Sequence, residues 1–390
     1  MGRTIQSSRQ DAFRILLTGY VGNNNLGDDL MMMETISFLK EKYPKARITV
    51  MIRYQGCKER QNYGKDIKIV NLHKFRLSVI KEWIYGNILI PKYDLVLWVG
   101  GTCFADIGGN GLYSYFKNNI HRNIPYGYLG IGIDYFEDVG KRKQARELFL
   151  NSSLTVFRDR VSFRQAQTLT ADSSVAPKAE YGVGEDIVYR VIQKLSFQEK
   201  KNRLLVSWRY QTQYMSSKEE EKLMKILLNA VCLSAGEYGE IVFLPVDEHM
   251  DGDVNRRLAE DLKILLEQDT SITDMPRVCC IEHMEAEEKI RYIAESRSYI
   301  CGRLHGVMIG EYAGCNVVSL NYSLKMQIFM ESIGRPCDTV WVREMTEDKI
   351  QSALSAGVME NREAMLKEKA KLADRNYEYF ENLTESVLKA

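Results

Sequence analysis

The chain alternates between short apolar runs and longer stretches with helical spacing of apolar residues, a pattern typical of α/β proteins. The first apolar run, 13–20, leads into a loop of glycines and asparagines, and helical spacing follows from 30 to 42. A second apolar run covers 46–52. Strand, glycine-rich loop, helix and strand in this order predict a βαβ unit of a parallel sheet. Asp28 or Asp29 is predicted to cap the helix.

The same pattern recurs in two series separated by a polar, poorly periodic stretch, 193–202. Further apolar runs lie at 95–101, 126–133 and 154–157 in the first series, and at 204–208, 241–245, 299–301 and 316–320 in the second. Helical spacing at 219–233 and 286–294 separates members of the second series. We therefore expect an α/β protein with two Rossmann-like, doubly wound domains facing a cleft.

Length supports this division, because a single core rarely extends over the 390 residues of this chain. The predicted domains are residues 12–195, as the acceptor side, and residues 203–345. Residues 346–390 are predicted to be helical, with a break at Gly357, and to pack back across the domains.

Charge and cysteine usage exclude several classes of protein. Lys and Arg number 53 and Asp and Glu 52, and this near-neutral balance argues against a nucleic-acid partner. The eight cysteines include no Cys-x-x-Cys pair, so reduced thiols and no metal site are expected. Residues 1–11 are polar and no run of about 18 apolar residues occurs, so a cytoplasmic location is expected.

The segment Cys301-Gly302-Arg303-Leu304-His305 passes from a predicted strand into a predicted helix start. Backbone N–H groups at a helix start favour a bound anion. Arg303 adds a two-pronged donor for phosphate or carboxylate, and His305 adds a proton donor near neutral pH. The alternative is that Arg303 closes a loop and that His305 is a hydrogen-bonded core histidine.

Two more cations follow predicted strands. Lys325 comes after the run 316–320, and Arg158 comes after 154–157. Ligands of doubly wound sheets bind at the carboxyl ends of the strands, so both are candidate anion ligands. The ordinary alternatives are a surface lysine and a surface ion pair between Arg158 and Asp159.

From residue 13 to residue 334, the chain resembles the polysaccharide pyruvyl transferase family. The landmarks of this resemblance are Gly19-Tyr20, Asn25-Leu26-Gly27-Asp28-Asp29, Gly100-Gly101 with Asp106, Arg158-Asp159 with Ser162, Gly302-Arg303-Leu304-His305, and Tyr322 with Lys325 before Gly334. Thr102 and Cys103 depart from the pattern, since the family often continues there with glycine.

The resemblance implies a GT-B-like fold and a transferase that uses phosphoenolpyruvate as donor. The pyruvyl group would form a cyclic ketal on two hydroxyls of a sugar in a bacterial surface polysaccharide or its lipid-linked oligosaccharide precursor. The family's phosphoenolpyruvate ligands correspond to Arg158, Arg303 and Lys325, and its proposed general acid corresponds to His305. No cofactor or metal is expected beside this co-substrate.

On the acceptor side, the candidate residues are Asn25, Asp28, Asp29 and Asp106. The three aspartates are candidates for the general base, and each has an ordinary alternative as a helix cap or loop acid. Two rival functions stay open at this point. One is a GT-B glycosyltransferase that uses a nucleotide sugar, and the other is a non-catalytic scaffold of polysaccharide assembly.

The segment Lys74–Lys92 mixes aromatic, aliphatic and basic residues. A core helix with solvated lysines is one interpretation. The other is peripheral contact with the inner face of the cytoplasmic membrane, where a lipid-linked acceptor would be found.

Overall fold

The structure is a computed structural model that describes residues 13–53, 63–196, 199–212, 214–269 and 274–389. The polar N-terminal residues 1–11, the predicted domain start at 12 and residues 197–198 of the predicted linker lie outside the described residues. Two compact units divide the chain. Unit 1 holds the described parts of Met1–Gly22, Asp28–Gln193 and Lys367–Ala390, and unit 2 holds those of Asn23–Gly27 and Lys194–Leu366.

Unit 1 is built on a mostly parallel sheet. Its strands are β1 (Arg14–Thr18), β2 (Arg47–Ile52), β3 (Lys68–Asn71), β4 (Leu95–Val99), β5 (Thr102–Ala105), β6 (Gly109–Asn110), β7 (Tyr126–Ile133), β8 (Leu154–Phe157) and β9 (Tyr181–Val183). The parallel strands follow the order β3-β2-β1-β4-β7-β8-β9. On β7, β5 adds a parallel branch, and β6 pairs with β5 antiparallel. Strands β4, β7 and β8 are buried throughout, as expected for a sheet covered on both faces.

Helices connect these strands. They are α1 (Leu26–Lys42), α2 (Ser78–Ile84), α3 (Tyr113–His121), α4 (Val139–Asn151), α5 (Arg160–Thr170) and α6 (Val188–Ile192). Short 3-10 turns cover Leu72–Lys74 and Ile90–Lys92, and a π turn covers Tyr85–Leu89. Because α1 already begins at Leu26, the capping role predicted for Asp28 and Asp29 is wrong. Both carboxylates lie inside the first turn, where a negative charge still complements the helix dipole.

The core of unit 1 is rich in aromatic side chains. Phe104, Tyr128, Phe149 and Phe157 are fully buried and meet edge-on or tilted, with neighbouring ring centroids 4.6–5.7 Å apart. Such contacts add to the free energy gained by removing the rings from water. This packing supports the strand ends from which Arg158 and the paired glycines of the first series emerge.

Unit 2 has a six-stranded, all-parallel sheet within its described residues. The strands are β10 (Lys201–Ser207), β11 (Glu240–Phe243), β12 (Arg277–Cys280), β13 (Ser296–Cys301), β14 (Asn316–Asn321) and β15 (Thr339–Trp341). They follow the order β12-β11-β10-β13-β14-β15. From β10 the chain adds strands first on one side, as β11 and β12, and then on the other, as β13, β14 and β15. Doubly wound sheets bind ligands at this switch point between β10 and β13. The predicted doubly wound architecture is confirmed for each unit.

The helices of the second half are α7 (Ser217–Leu233), α8 (Glu248–Gln268), α9 (Ala286–Ala294), α10 (Leu304–Tyr312), α11 (Leu324–Ser332), α12 (Glu347–Leu354) and α13 (Arg362–Lys389). Short 3-10 turns cover Ala235–Glu237, Pro336–Asp338 and Val342–Glu344. Gly357 lies between α12 and α13 with φ +83°, so the predicted helix break is confirmed. The units divide the predicted C-terminal region, with residues up to Leu366 in unit 2 and Lys367 onwards in unit 1.

Candidate functional site

Arg303 lies at the junction of β13 and α10, where it is the N-cap residue of the helix. Its Nε and Nη2 donate to the two carboxylate oxygens of Asp251 at 2.8 Å each. Nη2 also lies 3.5 Å from Oδ2 of Asp247. Burial lowers the pKa of the Arg303 guanidinium, but the charges of Asp251 and Asp247 outweigh burial and raise this pKa above its ordinary value. A bidentate ion pair therefore fixes the side chain predicted to bind the donor.

Asp247 ends the loop between β11 and α8, and Asp251 lies in the first turn of α8. Asp247 accepts from the N–H of Met250 at 3.2 Å as the N-cap of α8, and Asp251 is fully buried one turn later. Burial and the neighbouring charge of Asp251 raise the pKa of Asp247, while Arg303 acts in the opposite direction. The apolar run 241–245 predicted a strand whose carboxyl end lies before this loop, but neither acid was singled out from the sequence. Their partner is some fifty residues away in sequence.

The asparagine-rich loop Asn23–Gly27 belongs to unit 2 and is attached to the same β11–α8 loop. Leu26 N–H donates to the Val246 carbonyl at 2.9 Å, and Nδ2 of Asn25 donates to Oδ2 of Asp247 at 3.0 Å. Asn25 was predicted to be an acceptor-side residue of the domain 12–195. In the structure it lies beside the acids that hold Arg303.

His305 is the second residue of α10, where its half-buried ring lies in the first turn. The ring packs against the backbone of Gly27, because a Cβ placed on Gly27 would lie 1.7 Å from Nδ1 of His305. A side chain at position 27 and the ring cannot occupy this space together. Gly27 of the Asn-Leu-Gly-Asp-Asp landmark therefore sets the position of the predicted general acid.

Lys325 lies in the first turn of α11, just after β14. Its Nζ is 5.4 Å from the ring centroid of Tyr322, which precedes the helix. Burial alone would raise the pKa of the Tyr322 hydroxyl, but the charges of Lys325, Arg209 and Arg303 outweigh burial and lower this pKa to about 8. Three cations thus act on one hydroxyl at the carboxyl end of the sheet.

Arg209 is the cation that sequence reasoning missed, although it follows the apolar run 204–208. Its guanidinium carbon lies 3.7 Å from the ring centroid of Tyr322 and 4.8 Å from that of Tyr214. A Cβ on Gly302 would lie 3.1 Å from Cβ of Arg209, so the loops after β10 and β13 are in close contact. The signal available in the sequence was its place after a strand of the second series.

Arg158 lies in unit 1 and is buried. Its Nη1 donates to Oδ2 of Asp186 at 3.1 Å, and its Nη2 donates to the Thr102 hydroxyl at 3.1 Å. The alternative of a surface pair with Asp159 is therefore wrong. Asp159 instead caps α5 by accepting from the N–H of Ser162 at 2.7 Å. Thr102, which departs from the family pattern, supplies one partner of this predicted donor ligand.

Asp28 and Asp29 are both buried in the first turn of α1. The carboxylate of Asp28 lies against the paired glycines after β4, since a Cβ on Gly101 would lie 2.6 Å from its Oδ1. Gly100 and Gly101 have φ values of +61° and +71°, which other residues adopt only at a cost. In this landmark, Gly101 thus makes room for Asp28, and Gly100 makes room for Met31.

Asp106, the last acceptor-side candidate, is half-buried in a turn. Its oxygens accept from the N–H groups of Glu137 and Asp138 at 2.9–3.0 Å. The bonds from Asp138 and Glu137 lower the pKa of Asp106, which makes it a weaker base.

In unit 2, the structure brings together Arg303, His305 and Lys325 around the ends of β13 and β14, with Asn25 nearby. In unit 1, it places Arg158 directly after β8, Asp106 directly after β5, and Asp28 in the first turn of α1. Among the residues that the structure describes, no group of three or more His, Cys, Asp and Glu side chains could hold a metal ion.

The described cysteines are free thiols, with Cys103, Cys301 and Cys315 buried and Cys337 exposed. Across the part of the chain that the structure describes, every helix is too short or too polar to cross a lipid bilayer.

Solved structures of similar fold are GT-B proteins. A UDP-GlcNAc 2-epimerase from Neisseria meningitidis bound to UDP-GlcNAc is 13% identical, with a TM-score of 0.60 over 95% of this chain and 99% of that chain. A UDP-GlcNAc 2-epimerase from Methanocaldococcus jannaschii is 11% identical, with a TM-score of 0.57 over 90% of this chain and 93% of that chain. At this level of identity the likeness shows the fold, and the predicted GT-B fold is confirmed.

No curated protein sequence matches the chain. The family model of polysaccharide pyruvyl transferases matches residues 25–323. This range begins at Asn25 and ends just after Tyr322, so it includes Arg158, Arg303 and His305. The match covers most of the chain, and the chain therefore belongs to the polysaccharide pyruvyl transferase family, a family of transferases.

Proposed function

We propose that the chain transfers the pyruvyl group of phosphoenolpyruvate onto two hydroxyls of one sugar in a bacterial surface polysaccharide or its lipid-linked precursor. The observation that carries this proposal is the placement of Arg303 and His305 at the start of α10, in a chain of this family. A helix N-terminus favours a phosphate or carboxylate, and a histidine beside it can transfer a proton to the bound donor.

The donor is an anion at both ends, with a carboxylate and a phosphate. Arg158, Arg303 and Lys325 are its proposed ligands. The fork of Arg303 faces Asp251. It therefore offers the donor only its remaining N–H groups, and its position is fixed before the donor arrives. Positive charge near the phosphate stabilises the negative charge that develops as phosphate leaves.

The reaction begins with a proton from His305 to the methylene carbon of phosphoenolpyruvate, which becomes a methyl group. A sugar hydroxyl attacks the adjacent carbon, where positive charge has developed, and loses its proton. The bond from that carbon to the phosphate oxygen breaks, and a second hydroxyl adds and loses its proton. The products are a cyclic ketal and phosphate. Asp28, Asp29 and Asp106 are the candidate bases, and the lowered pKa of Asp106 makes it a weaker base than an ordinary aspartate.

The decisive experiment uses the parent protein with phosphoenolpyruvate and lipid-linked oligosaccharides, with product mass and released phosphate as readouts. His305→Ala should bind phosphoenolpyruvate almost as well as the parent but turn over about 10²–10⁴-fold more slowly, because a positioned acid contributes that much. His305→Gln keeps a hydrogen-bond donor without a transferable proton, so it should also be slow. A fast His305→Gln protein would show that the proton comes from another group.

The rival function, glycosyl transfer from a nucleotide sugar, makes a different prediction in the same assay. UDP-GlcNAc would then support transfer and release UDP, whereas phosphoenolpyruvate would release no phosphate. The solved structures of similar fold include proteins with UDP-sugar ligands, but their 11–13% identity carries the fold alone. The family match favours the pyruvyl donor.

We also propose that the 74–92 segment contacts anionic lipid, which would bring the protein to a lipid-linked acceptor. No residue of α2 is buried, so the core-helix interpretation is wrong for Ser78–Ile84, whereas Tyr85, Leu89 and Ile90 of the same segment belong to the core of unit 1. The large apolar side chains exposed here are Phe75, Leu77, Val79, Ile80 and Trp83. Lys74, Arg76 and Lys92 lie exposed in the same segment. Exposed apolar side chains among basic ones fit the surface of an anionic bilayer.

A further inference from the structure

Arg209 is a buried cation with unused hydrogen-bonding capacity. The side chain belongs to a residue that is only 7% exposed. Its Nε and Nη1 are buried and have no hydrogen-bond partner among the described residues. Its Nη2 donates to the Tyr214 hydroxyl at 3.3 Å, a long bond to a neutral group. Burial of a charge is costly unless a counter-ion or full hydrogen bonding offsets it.

Three other arginines of unit 2 whose side chains are mostly covered have carboxylate partners. Arg203 is 2.6 Å from Glu240, Arg335 is 2.9 Å from Asp338, and Arg303 is 2.8 Å from Asp251. Arg209 forms no ion pair with any described carboxylate, and its contacts are the faces of two tyrosine rings. A cation–π contact offsets part of the desolvation but leaves the guanidinium N–H groups unused.

Arg209 lies at the edge of the sheet where doubly wound domains bind ligands. It follows β10, which pairs with β13 at the switch point of the strand order. Tyr322 lies under its guanidinium, and the ammonium group of Lys325 is 5.4 Å from the same ring. An anion placed at the Tyr322 hydroxyl would meet a hydroxyl donor and two cations.

We infer that Arg209, Tyr322 and Lys325 form a subsite that binds the phosphate group of a ligand. The identity of that ligand rests on the proposed function, in which the phosphate is that of phosphoenolpyruvate. Nε and Nη1 are covered in the structure, so binding of the anion at these atoms requires the guanidinium to turn on the face of Tyr322. Arg303, whose fork faces Asp251, offers the donor only its remaining N–H groups, and Arg209 supplies a second guanidinium.

The test measures binding of phosphoenolpyruvate, inorganic phosphate and UDP to the parent, Arg209→Gln and Arg297→Gln by calorimetry. Arg297 is the matched control, because it is an exposed arginine at the opposite end of β13. Arg209→Gln should weaken phosphoenolpyruvate binding about 10- to 100-fold, as expected for the loss of charged hydrogen bonds. Its melting temperature should stay unchanged or rise, because a buried unpaired charge is removed.

Each outcome has a separate meaning. Equal binding of phosphoenolpyruvate by Arg209→Gln and the parent would overturn the subsite and leave the proposed function in place. If the parent binds phosphate or UDP but not phosphoenolpyruvate, and Arg209→Gln loses that binding, the subsite stands and the proposed function fails. A lower melting temperature with unchanged binding would show a purely structural arginine.

A second readout uses the parent protein and does not require Arg209→Gln to fold. Phosphate bound at the Tyr322 hydroxyl places a negative charge beside it and raises its pKa, so tyrosinate absorbance near pH 8 should decrease as phosphate is added. Tyr322→Phe, which lacks this hydroxyl, should show no such decrease. A phosphate-dependent change that persists in Tyr322→Phe, or no change in the parent, would contradict the subsite.

Discussion

At the scale of single residues, glycines give charged side chains room in the candidate site. A Cβ on Gly132 would lie 2.8 Å from Nε of Arg158, and one on Gly27 would lie 1.7 Å from Nδ1 of His305. The sequence marked such glycines as loop residues at strand ends. Their role in the structure is more specific, because each one faces the charged or titratable group that the chemistry requires.

Gly27→Ala tests this role for His305. The new methyl group and the ring cannot occupy the same space, so the ring or the loop must shift, at a cost of about 1–3 kcal/mol in stability. Displacement of a catalytic group by about 1 Å can cost about 100-fold in rate. Turnover with phosphoenolpyruvate should therefore fall much more than binding, as kcat and donor affinity measured on the same preparation would show.

Gly236→Ala is the control for this substitution. A Cβ on Gly236 would meet nothing within 4 Å, and this residue also lies in unit 2. The control should keep the turnover and melting temperature of the parent. Full activity of Gly27→Ala would mean that the position of His305 does not depend on Gly27.

At the scale of elements, α10 carries the site at its start and a buried acid near its end. Glu311 is fully buried. Its Oε1 lies 3.3 Å from Nε of Arg335, but the two atoms do not have hydrogen-bond geometry. Neither carboxylate oxygen of Glu311 therefore accepts a hydrogen bond from a described residue. Burial raises the pKa of Glu311 to about 8, and Arg335 offsets this only in part. The protonated form is therefore the one that the fold favours.

This raised pKa predicts how stability depends on pH. The contribution of Glu311 is fully present below the unfolded pKa, about 4.3, and is lost as the pH rises through about 8. Within that window each pH unit costs up to about 1.4 kcal/mol. Glu311→Gln should remove this loss, so the difference in melting temperature between the variant and the parent should grow from pH 5 to pH 8.

The opposite trend would identify an ion pair. If Arg335 held Glu311 ionised, Glu311→Gln would be less stable than the parent at high pH, and the two proteins would become alike at low pH. Glu260→Gln, the same substitution at an exposed glutamate of α8, would serve as a control, because its effect on stability should change little with pH over the same range.

Elements with continuous apolar runs were predicted well from the sequence, and edge elements were not. The predicted ranges 126–133, 154–157 and 286–294 match β7, β8 and α9. β12 and β3 are edge strands in which no residue is fully buried, so their apolar pattern is weak.

The residues of the candidate site were likewise only partly predictable from the sequence. Strand ends and the family landmarks indicated Arg303, His305 and Lys325. Pairs between distant residues, such as Arg303 with Asp251, depend on tertiary contacts that no local spacing reveals. Arg209 was accessible to the strand-end rule but carried no motif.

At the scale of the whole molecule, the chain does not divide into units in simple sequence order. The predicted boundary fell at 195–203, and the units divide between Gln193 and Lys194. In addition, Asn23–Gly27 belongs to unit 2 although it is embedded in the sequence of unit 1. A periodic pattern identifies strands and helices but not the unit that a short loop joins. The hydrogen bonds of Asn25 and Leu26 to the β11–α8 loop decide its place.

The 74–92 segment exposes apolar side chains on the surface of the molecule. Val79, Leu77 and Trp83 are 74%, 63% and 59% exposed, while Leu72 and Leu89 on either side are buried. The parent should float with vesicles containing anionic lipid and stay behind with neutral ones. A triple change of Lys74, Lys81 and Lys92 to Glu should lower binding roughly 100-fold, at about 1 kcal/mol for each basic residue.

The matched control reverses three exposed lysines of α7, Lys218, Lys222 and Lys225, and so makes the same change in net charge elsewhere. This control should float almost like the parent, since only charge near the lipid matters within a Debye length. Trp83→Ser should weaken flotation without changing its salt dependence, because it removes apolar contact and leaves the charge in place. If both triple variants floated equally well, the 74–92 segment would not be the lipid-binding surface. The exposed apolar residues would then require another explanation.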